Sequence, residues 1–307
     1  MNAIAGKKVL SIEAKLTDVC NHSCFHCMNN DVNGGRRLDA ERFAGQIAQL
    51  AEPNDFSFRV KEVRMTGGEP LCALDSVIEI AAACSKAGIA SGVNTNGSLL
   101  TKKTVGVLKK AGLRTVKISL DAVDERVFKQ VRGANASLAK TLAGIENAVA
   151  AGFNVVTRFT LCSLNKNQLV KCYEKAGETG VQRFQVKPLI NAGRASRSSA
   201  FLSEKEIRGA LASLAAASRG RPLRPQVLCF PPEKACGLDV KPCGNINKVY
   251  VSTDGSVCLC NYLRNSVSLG NVWREPLAGI LEKRQAPTWK SPAGHEILAG
   301  CPQAAYF

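Results

Sequence analysis

At 307 residues, 45% of them hydrophobic, the chain can form one large α/β domain, or one domain with a small appendage. No charged segment leading into an apolar run opens it, and no apolar run reaches spanning length, so a cytoplasmic protein without a membrane partner is expected. A formal charge of +16 favours anionic partners, but only 6% of residues are aromatic and basic runs are short, so nucleic acid is not expected.

From residue 8 to about 220, strand-like and helix-like segments alternate. Strands are predicted at 8–16, 60–66, 89–94, 114–120, 153–161 and 182–190, with amphipathic helical stretches at 39–51, 74–87, 102–111, 124–150 and 167–179. A further helix spans 203–218, opened by Ser203 with Glu206 completing a capping box. Six βα units imply an α/β fold, a partial (β/α)6 TIM-like barrel, over residues 1–220. The proline-rich stretch 219–237 reads as a linker, and "KVYVSTDGSVCLCNYL" as a hairpin turning at Asp254-Gly255. Residues 221–307 then form a small cysteine-rich domain with too little core to stand without a metal staple.

Several strands alternate polar and apolar residues. Glu13 and Lys15 share one face of the first strand; Lys117, Ser119 and Asp121 share one in the fourth; Arg158 and then Gln185 with Lys187 follow in the fifth and sixth. A closed barrel fills its interior with branched apolar side chains, so a polar interior implies a cavity that holds a polar ligand. Glu13, Lys15 and Lys187 are therefore candidate substrate contacts. Edge strands facing solvent are the alternative.

Thirteen cysteines in a chain without a secretion signal point to metal or catalysis rather than disulfides. Cys72, Cys84, Cys162 and Cys172 stand singly and read as small hydrophobes. Cys20, Cys24 and Cys27 are different: they follow C-x3-C-x2-C on a loop at the carboxyl end of the first strand, where barrel enzymes keep catalytic groups. Three thiolates can hold three irons of a cubane and leave the fourth open. Zinc, completed by His22 or His26, is the alternative.

That spacing resembles the signature of radical S-adenosylmethionine (SAM) enzymes. "TGGEP" (66–70) is similar to the family's second-strand motif, "NTNG" (94–97) and "SLDA" (119–122) to its later SAM-lining segments, and "NAGRA" (191–195) to the end of the sixth strand in members with an auxiliary cluster. The resemblance implies that Cys20, Cys24 and Cys27 hold a [4Fe–4S] cluster, and that His26, Gly67, Gly68, Glu69, Asn94, Asn96, Ser119, Asp121 and Arg158 line SAM. His26 stands where an aromatic residue is more usual. The implied chemistry is reductive SAM cleavage, giving a deoxyadenosyl radical that removes a hydrogen atom from an unactivated carbon.

The tail resembles reduced auxiliary-cluster domains of the twitch or SPASM type. By that match Cys236, Cys243, Cys260 and Cys301 hold a second [4Fe–4S] cluster, with a zinc knuckle as the alternative. Cys258 is then surplus, and some family epimerases use such a cysteine as hydrogen donor; an alternate ligand or a buried thiol is the plain alternative. Chain length resembles the small aminoglycoside-modifying members, so the favoured expectation is a C–H epimerase of a sugar or aminoglycoside. Dehydrogenation with the auxiliary cluster as electron acceptor, and epimerisation or cross-linking of a ribosomal peptide, are the rivals, and a nucleic-acid-gripping zinc module is the non-enzymatic one. An electron donor such as flavodoxin or ferredoxin is implied.

Overall fold

In the computed structural model, the described residues are 7–29, 34–241, 247–263 and 268–283. Six parallel strands form its centre in chain order: β1 (Lys8–Lys15), β2 (Phe58–Thr66), β3 (Ala90–Thr95), β4 (Thr115–Ser119), β5 (Asn154–Leu161) and β6 (Arg183–Pro188). Each predicted strand is present. Helices α1 (Ala40–Ala48), α2 (Leu74–Lys86), α3 (Lys102–Lys110), α4 (Glu125–Arg132), α5 (Leu138–Ala150), α6 (Leu169–Glu178) and α7 (Glu204–Ala217) connect or follow them.

The polar–apolar alternation builds the layers. Leu10, Ile12, Ala14, Val63, Met65, Val116, Ile118, Phe159 and Val186 leave the outer face and pack against Phe43, Ile47, Val77, Ile80, Leu108 and Ile145 of the helices, all in one core. Helix starts follow their capping residues: Asp39, Thr101, Asp124, Ser137 and Ser203 each accept a bond from the first helical turn. The Ser203–Glu206 capping box is formed.

Two expectations are corrected. The single helix expected over 124–150 is two, because Gly133 (φ 96°) ends α4 where its Cα closes against Ser23. The expected linker holds β7 (Pro225–Leu228), which adds parallel to β6 and is followed by β8 (Asp239–Lys241). Proline is tolerated in β7 because Pro225 stands at its first position.

The hairpin is formed by β9 (Lys248–Val251) and β10 (Ser256–Cys258), with Gly255 at φ 79° in its turn. β9 pairs parallel with β1, and β11 (Ser268–Asn271) and α8 (Leu277–Lys283) follow. The sheet thus runs β11-β10-β9-β1-β2-β3-β4-β5-β6-β7-β8 and continues across the expected boundary at residue 220. Among the described residues no helix is long and apolar enough to cross a membrane.

Two glycines should respond oppositely to Ala. A Cβ on Gly144 of α5 would stand 2.1 Å from the Gly97 carbonyl, whereas one on exposed Gly106 of α3 meets nothing within 4 Å. Chemical denaturation should show Gly144→Ala destabilised by about 1–3 kcal/mol and Gly106→Ala stabilised by about 0.5–1 kcal/mol.

Candidate functional site

The three-cysteine loop has little regular structure, and its neighbours hold it by backbone contacts. Gly68 N donates to Thr17 O (2.6 Å) and Glu69 N to Val19 O (2.7 Å), fixing the approach to Cys20 against the end of β2. A Cβ on Gly68 would lie 2.2 Å from Val19 O, and one on Gly67 2.8 Å from Thr17 O. Ser23 N and Phe25 N donate to the Arg132 and Val131 carbonyls at the end of α4. Arg194 N donates to Cys27 O (2.9 Å), and a Cβ on Gly193 (φ 62°) would stand 2.4 Å from that oxygen. "GGEP" and "NAGRA" are therefore clamps on the cysteine loop.

Glu69 is buried and acts as a strut. Its carboxylate accepts from Leu71 N (3.1 Å), Thr95 Oγ1 (2.7 Å) and Asn96 N (2.7 Å), joining the ends of β2 and β3. Burial raises its pKa, against those hydrogen bonds. Asn96 donates to Asn21 Oδ1 (2.8 Å) inside the cysteine loop. Both residues support the loop through hydrogen bonds to protein groups.

Asp121 is fully buried. Arg132 Nε lies 2.6 Å from its Oδ2, His26 Nε2 3.8 Å away, and Thr160 N donates to its Oδ1 (2.6 Å). Arg132 also points Nη1 at Cys24 Sγ (3.6 Å), so Asp121, His26, Arg132 and Cys24 form one cluster. Arg132 was missed from sequence; its only signal is a cation in the last turn of α4 beside Gly133. Burial, reinforced by Arg132 and opposed by Asp121, holds His26 neutral with its pKa lowered to about 4.

The cysteines fit an iron–sulfur cluster. Burial pushes the Cys20 thiol up to about 12, and Glu69, Cys24 and Cys27 are close enough to raise it further. Cys27 is raised for the same first reason. Among the described residues no three His, Cys, Asp or Glu side chains converge as a ready-made site for a single ion.

Inside the barrel, Ser119 stands opposite Arg158. Asn94 Oδ1 and the Nε atoms of Arg158 and Arg64 are buried without hydrogen-bond partners, as a polar occupant requires. Glu13 is engaged by Lys248 (2.6 Å); burial raises its pKa, but Lys248, with Arg64 and Arg158, lowers it to about 2. Lys15, expected to meet substrate, is instead buried and paired with Asp18, which Arg36 also holds (2.8 Å). Lys187 donates to the Tyr262 hydroxyl (2.8 Å) and lies over its ring.

At the tail, Cys258 and Cys260 are buried and adjacent, Cys258 Sγ meeting the Cys260 carbonyl (3.4 Å). Cys258 pairs with Tyr250 and Tyr250 with Glu13, so all three side chains leave the sheet on the lumen side. Cys236 is exposed, its thiol 3.5 Å from the Arg208 carbonyl of α7. Cys229, not singled out from sequence, is close enough to Arg158 and Lys187 to influence both. Cys243 and Cys301 lie outside the described residues.

Residues 15–176, more than half of the chain, match the family model of the Radical SAM superfamily. The chain belongs to that superfamily. Residues 240–302 match the SPASM iron–sulfur cluster-binding domain. As a radical SAM protein of this type it takes SAM and a [4Fe–4S] cluster, with auxiliary iron–sulfur binding in the tail. An AdoMet-dependent heme synthase of Methanosarcina barkeri is 28% identical, the match covering 95% of this chain and 90% of that protein. A probable GTP 3',8-cyclase of Sulfolobus acidocaldarius is 37% identical over 52% of this chain and 50% of its own. Streptococcus suis SuiB bound to its precursor peptide SuiA shares the fold (TM-score 0.75, 16% identity), covering 94% of this chain and 67% of SuiB. The anSMEcpe structure with bound AdoMet does too (TM-score 0.68, 15% identity, 94% and 83%).

Replacing Arg132 tests the buried cluster. Arg132→Met leaves Asp121 without its guanidinium and should cost about 3–5 kcal/mol in urea unfolding. It should also lower the iron retained per chain after anaerobic reconstitution, with Arg132→Lys intermediate because an ammonium cannot bridge both partners.

Proposed function

We propose that residues 1–220 bind SAM and an open [4Fe–4S] cluster on Cys20, Cys24 and Cys27, that residues 221–307 hold an auxiliary cluster, and that the enzyme removes a hydrogen atom from a polar substrate in the lumen. The supporting observation is a clamped three-thiol loop at the carboxyl end of β1, above an interior with unpartnered polar atoms. Bound there, cluster and SAM supply one-electron cleavage of the sulfonium and abstraction from an unactivated carbon. Asn94 and Ser119 are the lumen groups proposed to meet SAM, while Arg158, expected beside it, is left to the substrate, and the clamps keep the loop from shifting when the thiols ionise to take iron. Cys260, Cys243 and Cys301, with Cys236 as fourth, are the proposed auxiliary ligands.

Epimerisation remains the favoured outcome, supported by Cys258 on the lumen side of β10. Its S–H gives a hydrogen atom to the substrate carbon from the face opposite abstraction. The thiyl left behind takes one electron from a donor such as flavodoxin or ferredoxin, acidic partners that a +16 chain attracts, and one proton from solvent. A peptide substrate is the second reading, favoured by the fold shared with SuiB in its precursor-peptide complex. A polyamine sugar fits less well, because cations outnumber carboxylates in the interior.

Anaerobically reconstituted protein should contain iron and acid-labile sulfide for two clusters and release deoxyadenosine with SAM and dithionite. Cys20→Ala, Cys24→Ala or Cys27→Ala should abolish that release; activity retained in any of them sinks the assignment.

In deuterated solvent, inverted product should carry one deuterium at the attacked carbon. Cys258→Ala should uncouple deoxyadenosine formation from inversion; unchanged inversion rules out Cys258 as donor.

A further inference from the structure

Besides Lys15, which Asp18 holds at the end of β1, basic side chains on the interior face include Arg64 of β2, Lys117 of β4, Arg158 of β5, Lys187 of β6 and Lys248 of β9. Glu13 is paired with Lys248 and Glu62 with Arg64, while Asp239 of β8, in register with Gln226 and Gln185, accepts from Gln226 (2.9 Å). That leaves Lys117, Arg158 and Lys187 without a carboxylate partner among the described residues. Arg158 has one long bond to Gln185 (3.4 Å) and a buried Nε with no acceptor. Among the described residues Lys187 bonds only to the neutral Tyr262 hydroxyl.

Register sets these three on a diagonal. Lys117 pairs with Val156, two residues before Arg158, and Lys187 pairs with Thr160, two residues after it. Two residues along a strand and one strand across is roughly 8 Å, so the three heads follow one another across the interior wall within reach of a single bound molecule. Asn94, with its buried unpartnered Oδ1, stands beside Lys117 on β3.

We propose that Lys117, Arg158 and Lys187 form a subsite for an anionic oxygen group of the substrate, a carboxylate or a phosphate, so that the molecule acted on is an oxyanion rather than a polyamine. This rests on reading the lumen as the substrate chamber. The balance of charge around Lys117 agrees: burial first, then Arg64 and Arg158, lower its pKa to about 6, while Glu62 and Glu13 pull the other way. Near neutral pH its amine is therefore largely uncharged, and an arriving anion draws a proton onto it.

Calorimetric titration of the reconstituted, SAM-loaded protein without reductant tests this apart from turnover. The probes are pyrophosphate, tricarballylate and, as polyamine control, spermine. At least one anion should bind near neutral pH with proton uptake, seen as a heat that varies with the ionisation enthalpy of the buffer, and spermine should not bind. Pyrophosphate alone identifies a phosphate-bearing substrate, tricarballylate alone a carboxylate-bearing one, and both a general oxyanion site. Lys117→Met should weaken anion binding roughly ten- to hundred-fold. Lys117→Arg should restore affinity and abolish the proton uptake, because a guanidinium is already charged. Spermine binding in place of the anions, neither anion binding at millimolar concentration, Lys117→Met binding like the parent, or loss in both variants overturns the subsite. Anion binding without deoxyadenosine release in the reductive assay would instead defeat the proposed function and leave the subsite standing.

Discussion

The loop from Thr17 to Cys27 makes few hydrogen bonds to itself, so its shape comes from the backbone groups that close on it from the end of β2, the end of α4 and the turn after β6. At Gly67, Gly68 and Gly193 two main chains approach at a distance no side chain survives, and Gly133 meets the Ser23 hydroxyl at a φ of 96° that favours glycine. Three thiols whose spacing is fixed before iron arrives take a cluster more readily, since a loose loop would lose conformational entropy on binding. The rest of the site inherits its precision from this arrangement. Glu69 ties the clamp on β2 to β3, and Arg132 carries the clamp on α4 to Asp121 and Cys24.

Much of the fold was legible because the alternation of apolar and polar residues in "LSIEAKLT" and "VKISLD" marks both the strands and which face meets the helices. Cysteine spacing on a strand end was equally legible, being local. The missed features depend on partners distant in sequence. Arg132 looks like an ordinary last-turn cation until Asp121 is found against it, and Glu13 looks free until Lys248 arrives from the far end of the chain. Lys15 belongs to the opposite error: its pattern puts it on the polar face, but Asp18 three residues on closes it in an ion pair. β7 was hidden because Pro225 and the prolines flanking the strand read as a break, although the first strand position needs no donor.

The interior and the cysteine loop answer to different electrostatics. Around the loop, Asp121 and Glu69 set negative charge beside groups that must ionise to take metal, and Arg132 offsets it at Cys24. Deeper in the barrel the sign reverses, with Arg158 and Lys187 left over on β5 and β6 and the Lys117 amine of β4 ready to take a proton. A molecule with one charged end would be oriented by that gradient, its anionic end drawn inward and its reacting carbon held toward the loop.

The parallel pairing of β9 with β1 covers the outer rim of the strand that leads into the cysteine loop. Without it, the amides and carbonyls of Ser11 to Ala14 would be an open template for a strand from another molecule. The tail therefore protects the catalytic half from self-association, and a chain cut at residue 220 should aggregate through that rim even with the helices and clamps intact.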